Sequence, residues 1–305
     1  MVELKIVFLG TSAATPTYRR GLSSVAIIRG DELLLFDAGE GTQRAFLRAG
    51  IGLNRKTRIF ITHLHGDHCI GVLGLLQTMS LASRDKPVDI YGPSGLSGFI
   101  RSSQKYLRFG LTFDVRIIEI RPGLVLNCKE YVVRATPARH SVPSFSYCLE
   151  EKERPGVFYP AKAKKLRVPE GILWSSLQHG HQVKIGRRIV RPVDVLGSPR
   201  RGRKIGISGD TRPSAKLRAL FKACDVLIFE STYGDDHRDK AIENLHSTSR
   251  EAGQLAKQAG AKQLVLTHFS ARYADVKPLV KQAREIHDDV IPAEDLMTLQ
   301  VPYLD

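Results

Sequence analysis

The chain carries 305 residues, 42% of them hydrophobic, enough to build the core of two ordinary domains or one large layered one without covalent staples. Its four cysteines, Cys69, Cys128, Cys148 and Cys224, stand far apart with no C-x-x-C pair, which excludes a disulfide framework and a thiolate zinc site and fits a reducing cytoplasm. A formal charge of +15 and a pI near 9.8 require an acidic partner, nucleic acid above all, while no apolar run approaches the ~20 residues that span a bilayer.

Apolar alternation and β-branched residues predict strands over Glu3–Leu9, Ser24–Arg29, Glu32–Asp37, Thr57–Thr62, Val88–Tyr91, Val115–Ile120 and Tyr131–Ala135. The first begins at once, with no basic-then-apolar leader, so a soluble, unexported protein is expected. Helical periodicity at Thr42–Ala49, Asp67–Ala82 and Leu96–Tyr106 alternates with these strands, which makes a layered α/β chain. The interval from residue 150 to 197 breaks that grammar. Pro155-Gly156, Pro160, Pro169, Gly171, Gly180 and Gly186 punctuate it, and Val157, Phe158, Leu166, Ile172, Leu173, Trp174 and Leu177 suffice for a small local cluster, as in an inserted arm. Between Lys152 and Lys204 stand 14 Lys or Arg against 3 acidic residues, so +11 of the net +15 belongs to this stretch. Tyr159 and Trp174 can stack on bases, with packing inside the arm the simpler use of each. Strands at Lys204–Ser208, Val226–Glu230 and Gln263–Thr267 then alternate with helices near Ser214–Ala223, Ser247–Ala259 and Val276–Ile286. Two α/β halves with their sheets face to face are the simplest packing of such a chain.

The densest chemistry lies in Thr62-His63-Leu64-His65-Gly66-Asp67-His68, directly after a predicted strand. Imidazole and carboxylate donors suit a borderline divalent ion such as zinc, and the H-x-H-x-D-H spacing lets alternate side chains converge from a tight turn. The adjacent Asp67-His68 pair implies two ions rather than one. A solvated polar loop would account for one or two histidines but not for this density. Two ions need about seven protein ligands. His140, Asp210 and His268 each stand just past an apolar strand-like segment, at the sheet rim where ligands collect in α/β folds. His179, His181, His237 and His287 lack such a context and read as surface groups, the first two within reach of phosphate in the arm. Gly39-Glu40-Gly41-Thr42 lacks the P-loop Lys-Ser/Thr and a full dinucleotide fingerprint, so no nucleotide cofactor is expected.

With Phe36-Asp37-Ala38-Gly39-Glu40-Gly41-Thr42 upstream, the histidine loop resembles the metallo-β-lactamase superfamily. Leu9-Gly10-Thr11-Ser12-Ala13-Ala14, Ser208-Gly209-Asp210-Thr211, Leu245-His246-Ser247-Thr248 and Thr267-His268-Phe269-Ser270-Ala271-Arg272-Tyr273 carry the similarity over most of the chain, to the ribonuclease Z family in particular. This resemblance implies an αββα sandwich, one metallo-β-lactamase-type α/β domain over residues 1–305 with a basic tRNA-gripping arm inserted at 150–197. It also implies a zinc-dependent endoribonuclease that removes the 3′ trailer of precursor tRNA after the discriminator nucleotide and leaves a 3′-hydroxyl.

By the same resemblance His63, His65 and His140 hold one Zn2+, Asp67, His68 and His268 hold the second, and Asp210 bridges them. Two ions roughly 3.5–4 Å apart clamp a water, lower its pKa towards ~7 and stabilise charge on the entering and leaving oxygens. Asp67 would aim the resulting hydroxide, and Asp37 would support the site from behind. His246 is the expected general acid for the departing ribose oxygen, oriented by Glu230. Arg20, Ser23, Ser24, Ser270 and Arg272 are expected to hold backbone phosphates beside the metals, and Lys162, Lys164, Lys165 and Arg167 to meet the tRNA from the arm. Pro169-Glu170-Gly171-Ile172 stands where many relatives have a Gly-Pro pair, a departure in the arm. Relatives work as homodimers, so the arm of one subunit is expected to serve the site of the other. Two other readings fit part of the pattern. A small-molecule phosphodiesterase or thioester hydrolase of the same superfamily would keep the metals but have no need of the basic arm, and a non-catalytic RNA-binding module would have lost at least one ligand.

Overall fold

Strands rich in Val, Ile, Leu and Phe, most of them buried on both faces, pair into two seven-stranded sheets in a computed structural model that describes residues 2–303. The chain divides into two units, residues 2–150 with 203–302, and residues 151–202 with 303. In spatial order the first sheet of the larger unit runs Thr298–Gln300, Leu4–Gly10, Ser24–Arg29, Glu32–Phe36, Lys56–Phe60, Val88–Gly92 and Val115–Glu119. Its first four strands are antiparallel neighbours, and from Glu32–Phe36 onward it is parallel. The second sheet runs Val290–Pro292, Gln263–Thr267, Val226–Glu230, Lys204–Ile207, Phe145–Glu151, Tyr131–Pro137 and Gly123–Asn127, with parallel pairing among its first four strands.

The inner faces meet in one core, in which Phe8, Ile27, Phe36 and Phe60 of the first sheet pack with Val133, Tyr147, Ile207 and Ile228 of the second. Phe60 stacks on Phe36 at 5.0 Å and meets the edge of Tyr147 at 5.6 Å, so aromatic pairs join the sheets directly. Helices Thr42–Arg48, Gly71–Leu81 and Leu96–Leu107 cover the outer face of the first sheet through Phe46, Val72, Leu75 and Leu96. Ala215–Leu220, Ser249–Ala259 and Lys277–Arg284 cover the second through Leu217, Leu255 and Leu279. The layers are therefore helix, sheet, sheet, helix. Parallel strands in both sheets end at the segments that carry Asp37, His63, Asp210, Glu230 and His268.

Four strands of these sheets lie outside the predicted set: Gly123–Asn127, Phe145–Glu151, Val290–Pro292 and Thr298–Gln300. Phe145–Glu151 reads FSYCLEE, too polar for a buried strand by pattern. Ser146 nevertheless finds the Ser208 carbonyl, and the strand pairs with Lys204–Ile207. The predicted helix Asp67–Ala82 is interrupted at Ile70 into Gly66–Cys69 and Gly71–Leu81. There Gly71 presses on Gly39: a Cβ at 71 would lie 1.9 Å from the Gly39 carbonyl oxygen. Helix Ser249–Ala259 starts two residues after the predicted Ser247, because Thr248 caps it and Glu251 returns a bond to the Thr248 amide.

The smaller unit holds helices Pro160–Lys165 and Ile172–Gln178 and the hairpin Val183–Ile185 with Arg188–Val190, followed by the short helix Pro192–Val195. Ala163, Val168, Leu177, Val183, Val190 and Val195 form its core, flanked by Phe158, Leu166, Leu173 and Trp174. Two residues expected in that cluster lie outside it. Val157 is 50% exposed, and Ile172, the first residue of its helix, 87%. Trp174 packs 5.2 Å from Phe158 and donates its indole N–H to the Val168 carbonyl, so its ring belongs to the smaller unit's own core. His287, expected at the surface, is buried and bonds the Ala261 carbonyl through Nε2 at 2.9 Å. All four cysteines are free, and no described helix is long and apolar enough to cross a membrane.

Candidate active site

Four histidines, three just past strand ends and His68 in helix Gly66–Cys69, share one arrangement: Nδ1 is tied outward and Nε2 is left facing inward. His63 donates from Nδ1 to Thr62 Oγ1 (3.0 Å), whose own proton goes to Asp37. His68 donates from Nδ1 to Asp37 Oδ2 at 2.7 Å, and His140 to the Leu245 carbonyl at 3.3 Å. His268 donates to Thr232 Oγ1 at 2.9 Å, and Thr232 passes its proton to Glu230 at 2.6 Å. Outward bonds of this kind fix the tautomer and aim a lone pair into the cavity. Burial and the neighbouring His68 outweigh Asp210 and push His63 down to about 2, so its ring is neutral and free to donate.

The inward atoms form two groups. His63, His65 and His140 converge with His63 Nε2 3.0 Å and His140 Nε2 3.2 Å from His65 Nδ1. Asp67, His68 and His268 form the second, in which the two Nε2 atoms are 3.3 Å apart and Asp67 Oδ2 stands 3.5 and 3.6 Å from them. Asp210 lies between. Its Oδ2 is 3.7 Å from His63 and 3.9 Å from His140, whereas its Oδ1 is 3.3 Å from His68 and 3.2 Å from His268. Buried Oδ1 has no hydrogen-bond partner, an expensive condition for a carboxylate that a cation would relieve. Lone pairs and carboxylate oxygens facing one another at these distances fit two borderline divalent ions, so the donor set suits the metal its sequence implied. Asp67 also accepts the Ala14 amide at 2.8 Å, which ties the loop of residues 14–20 to the site.

His246 stands at the edge of the cluster, its ring centroid 5.1 Å from that of His140 and 5.5 Å from that of His268. Nδ1 bonds Glu230 Oε1 at 3.1 Å, which leaves Nε2 for a substrate atom. Burial works to lower its proton affinity, but Glu230 and Asp210 prevail and push it up to about 9. Glu230 is itself buried and held by the Thr211 amide at 2.7 Å. His268, Asp37 and Leu245 all adopt left-handed backbone, with φ of 58°, 59° and 58°, so local strain is held within the donor cluster, beside His68 and beside His246.

The residues expected to hold phosphate are placed differently from one another. Arg20 is committed to Thr11 Oγ1 and the Ala293 carbonyl, each at 2.7 Å, and lies over the Phe269 ring. Ser23 is half-buried, and Ser24 is buried and donates to the Asp37 carbonyl. Arg272 is exposed, stacks over Tyr233 and donates to Ser270 Oγ at 3.0 Å, and Tyr233 turns its ring edge towards His246. In the smaller unit Lys162, Lys164, Lys165 and Arg167 are exposed, Lys162 against the Tyr159 ring and Lys164 paired with Glu170 at 3.0 Å.

Sequence reasoning passed over Thr62 and Thr232, whose hydroxyls set two imidazoles, since a threonine beside a ligand carries no signal of its own. It also passed over a cleft of about 860 Å³ beside the 14–20 loop, lined by Tyr18, Arg19, Arg44 and Arg48 among others. Arg44 and Arg48 stand four apart on helix Thr42–Arg48, a spacing that could have marked a basic helix face.

Residues 4–152 match the family model described as anti-Pycsar protein Apyc1, and residues 161–269 match the β-lactamase superfamily domain. Ribonuclease Z of Nitrosopumilus maritimus is 48% identical over 98% of this chain and 100% of its own length. Ribonuclease Z of Methanosarcina acetivorans is 45% identical over 98% and 99%. Among solved structures, human tRNase Z, short form, aligns with a TM-score of 0.73 at 32% identity, covering 98% of this chain and 99% of its own. The metallo-β-lactamase fold protein YhfI from Bacillus subtilis, at a TM-score of 0.69 and 17% identity over 98% and 100%, shares the fold alone. A sandwich common to these structures, and identity of 45–48% over nearly the whole length of both relatives, give one conclusion: this chain belongs to the ribonuclease Z family of metallo-β-lactamase-fold hydrolases.

Proposed function

We propose that this protein is a zinc-dependent endoribonuclease that removes the 3′ trailer from precursor tRNA, cutting after the discriminator nucleotide and leaving a 3′-hydroxyl. The observation that carries the metal chemistry is Asp210, with one carboxylate oxygen turned to each donor group and the inner one unpartnered. His63, His65 and His140 would hold one ion and Asp67, His68 and His268 the other, with Asp210 shared. Such a pair, when bound, supplies Lewis acidity to a water and counter-charge to the phosphate.

The chain's own groups do the rest. Asp67, fixed by the Ala14 amide, faces the space between the ligands and orients the attacking water. His246 keeps its proton beside Glu230 and delivers it from Nε2 to the departing ribose 3′-oxygen. Arg272 over Tyr233 holds a phosphate on the His246 side. The Arg19, Arg44 and Arg48 cleft receives the single strand beyond the cut. Exposed Lys162, Lys164, Lys165 and Arg167 give the smaller unit the charge to grip folded tRNA, and a homodimer would let the arm of one subunit serve the site of the other. We place the reaction in the cytoplasm, where free thiols persist.

The test is cleavage of an end-labelled precursor tRNA by zinc-loaded protein and by its Asp67→Ala variant, with products sized to the nucleotide. One cut after the discriminator, abolished by the substitution, is the expected outcome. No cut despite two bound ions would transfer the assignment to small phosphodiesters.

A further inference from the structure

Arg212 has no part in the chemistry described so far, yet it ties together the loops that carry it. Its Nη1 donates to the His246 carbonyl at 2.6 Å and to Glu251 Oε2 at 2.7 Å, while Nη2 meets Glu251 Oε1. Both side chains are nearly buried, at 13% and 14% exposure. Glu251 accepts the Thr248 amide in the capping box of helix Ser249–Ala259, so the guanidinium clamps that helix start and His246, two residues before its cap, at once. On the other side Arg212 is the second residue after Asp210. Its amide donates to the Arg139 carbonyl at 3.0 Å, next to His140. Thr211 bonds Glu230 through its amide at 2.7 Å and accepts Ser247 Oγ at its carbonyl at 2.6 Å.

His246 therefore has two anchors of different kinds. Glu230 holds the ring, and Arg212 holds the backbone. The backbone needs holding, because Leu245 just before it is in the left-handed region at φ 58°. We propose that Arg212 is a positioning residue for the proton-donating step: it sets the distance between the His246 ring and the Asp210 cluster by clamping the His246 carbonyl. This rests on the reading of His246 as general acid, and it commits Arg212 to no contact with substrate.

Leaving-group dependence distinguishes positioning from general support. Nitrophenolate departs without a proton, whereas a ribose 3′-oxygen needs one. Arg212→Ala is expected to lower kcat on precursor tRNA by roughly 10–100-fold, the scale of an ångström's misplacement. KM should stay within about twofold, and bis(p-nitrophenyl) phosphate hydrolysis and zinc content should stay near wild type. Adding Arg212→Ala to His246→Ala should cost little more than His246→Ala alone, since both act through one proton transfer. Arg212→Lys, which keeps a donor for the carbonyl but loses the two-pronged grip on Glu251, should recover part of the rate. Glu251→Gln, a gentler change, should show the same selective loss in smaller measure. Equal losses on both substrates, or lost zinc, would make Arg212 a structural brace and overturn the proposal. So would wild-type turnover by Arg212→Ala where His246→Ala is impaired. Wild-type turnover by His246→Ala would instead remove the general-acid reading beneath it.

Discussion

Glu230 gives His246 its proton affinity, and that makes a direct prediction for the single residue. His246 works as an acid only while protonated, so kcat falls as pH rises through its pKa in the holoenzyme. Glu230→Gln keeps the hydrogen-bonding shape but removes the carboxylate that opposes burial, so the basic limb of the kcat profile should move to lower pH. An unmoved limb in that variant would assign the proton elsewhere. His246→Ala should reduce precursor cleavage by about 10²–10⁴-fold, the usual worth of a general acid, with zinc content intact. The clustering of these histidines and aspartates was legible from sequence because that density and spacing have few other uses. Thr232 and Arg212 were not. A hydroxyl or guanidinium acquires its role only from what folding sets opposite it, here Glu230 with His268 in one case and the His246 carbonyl in the other.

Secondary-structure elements hold these residues through contacts that tolerate little added volume. Gly71 opens helix Gly71–Leu81 against the Gly39 carbonyl, so Gly71→Ala must push this helix away from the segment that joins Glu32–Phe36 to Thr42–Arg48. A loss of about 1–3 kcal/mol in denaturant-measured stability is expected, with weakened zinc affinity. Parallel strands and amphipathic helices of the sandwich announced themselves through ordinary periodicity. Gly123–Asn127 did not, because it is an edge strand with no buried face to pattern, nor did Thr298–Gln300, whose three residues borrow their order from Leu4–Gly10. The arm's punctuation was readable too, but burial within it was not, since only Leu173, Trp174 and Leu177 of helix Ile172–Gln178 turn inward and Ile172 stays in solvent. Deleting residues 155–184 removes most of that cluster, including Ala163, Val168 and Leu177. It should impair cleavage of full precursor tRNA while sparing hydrolysis of a small chromogenic phosphodiester. Equal damage to both would refute a division of labour between grip and cut.

For the whole molecule, charge and metal are the two external controls. A net +15 makes tRNA affinity depend on counterion release, so KM for precursor tRNA should climb steeply from roughly 50 to 200 mM salt while the small phosphodiester is nearly indifferent. Chelation should abolish both reactions, and added zinc should restore them, with thermal denaturation shifting upward on reloading as binding to the folded state requires.

The two halves of the donor cluster reach each other late. His68 and His268 are 200 residues apart in sequence, and the second takes its place only when Gln263–Thr267 has entered the sheet between Val226–Glu230 and Val290–Pro292. A chain still being synthesised displays its basic segment long before it owns a complete catalytic centre. The order of residues along the polypeptide therefore closes the donor set last: until His268 emerges, His68 and Asp210 wait without the imidazole that completes their group.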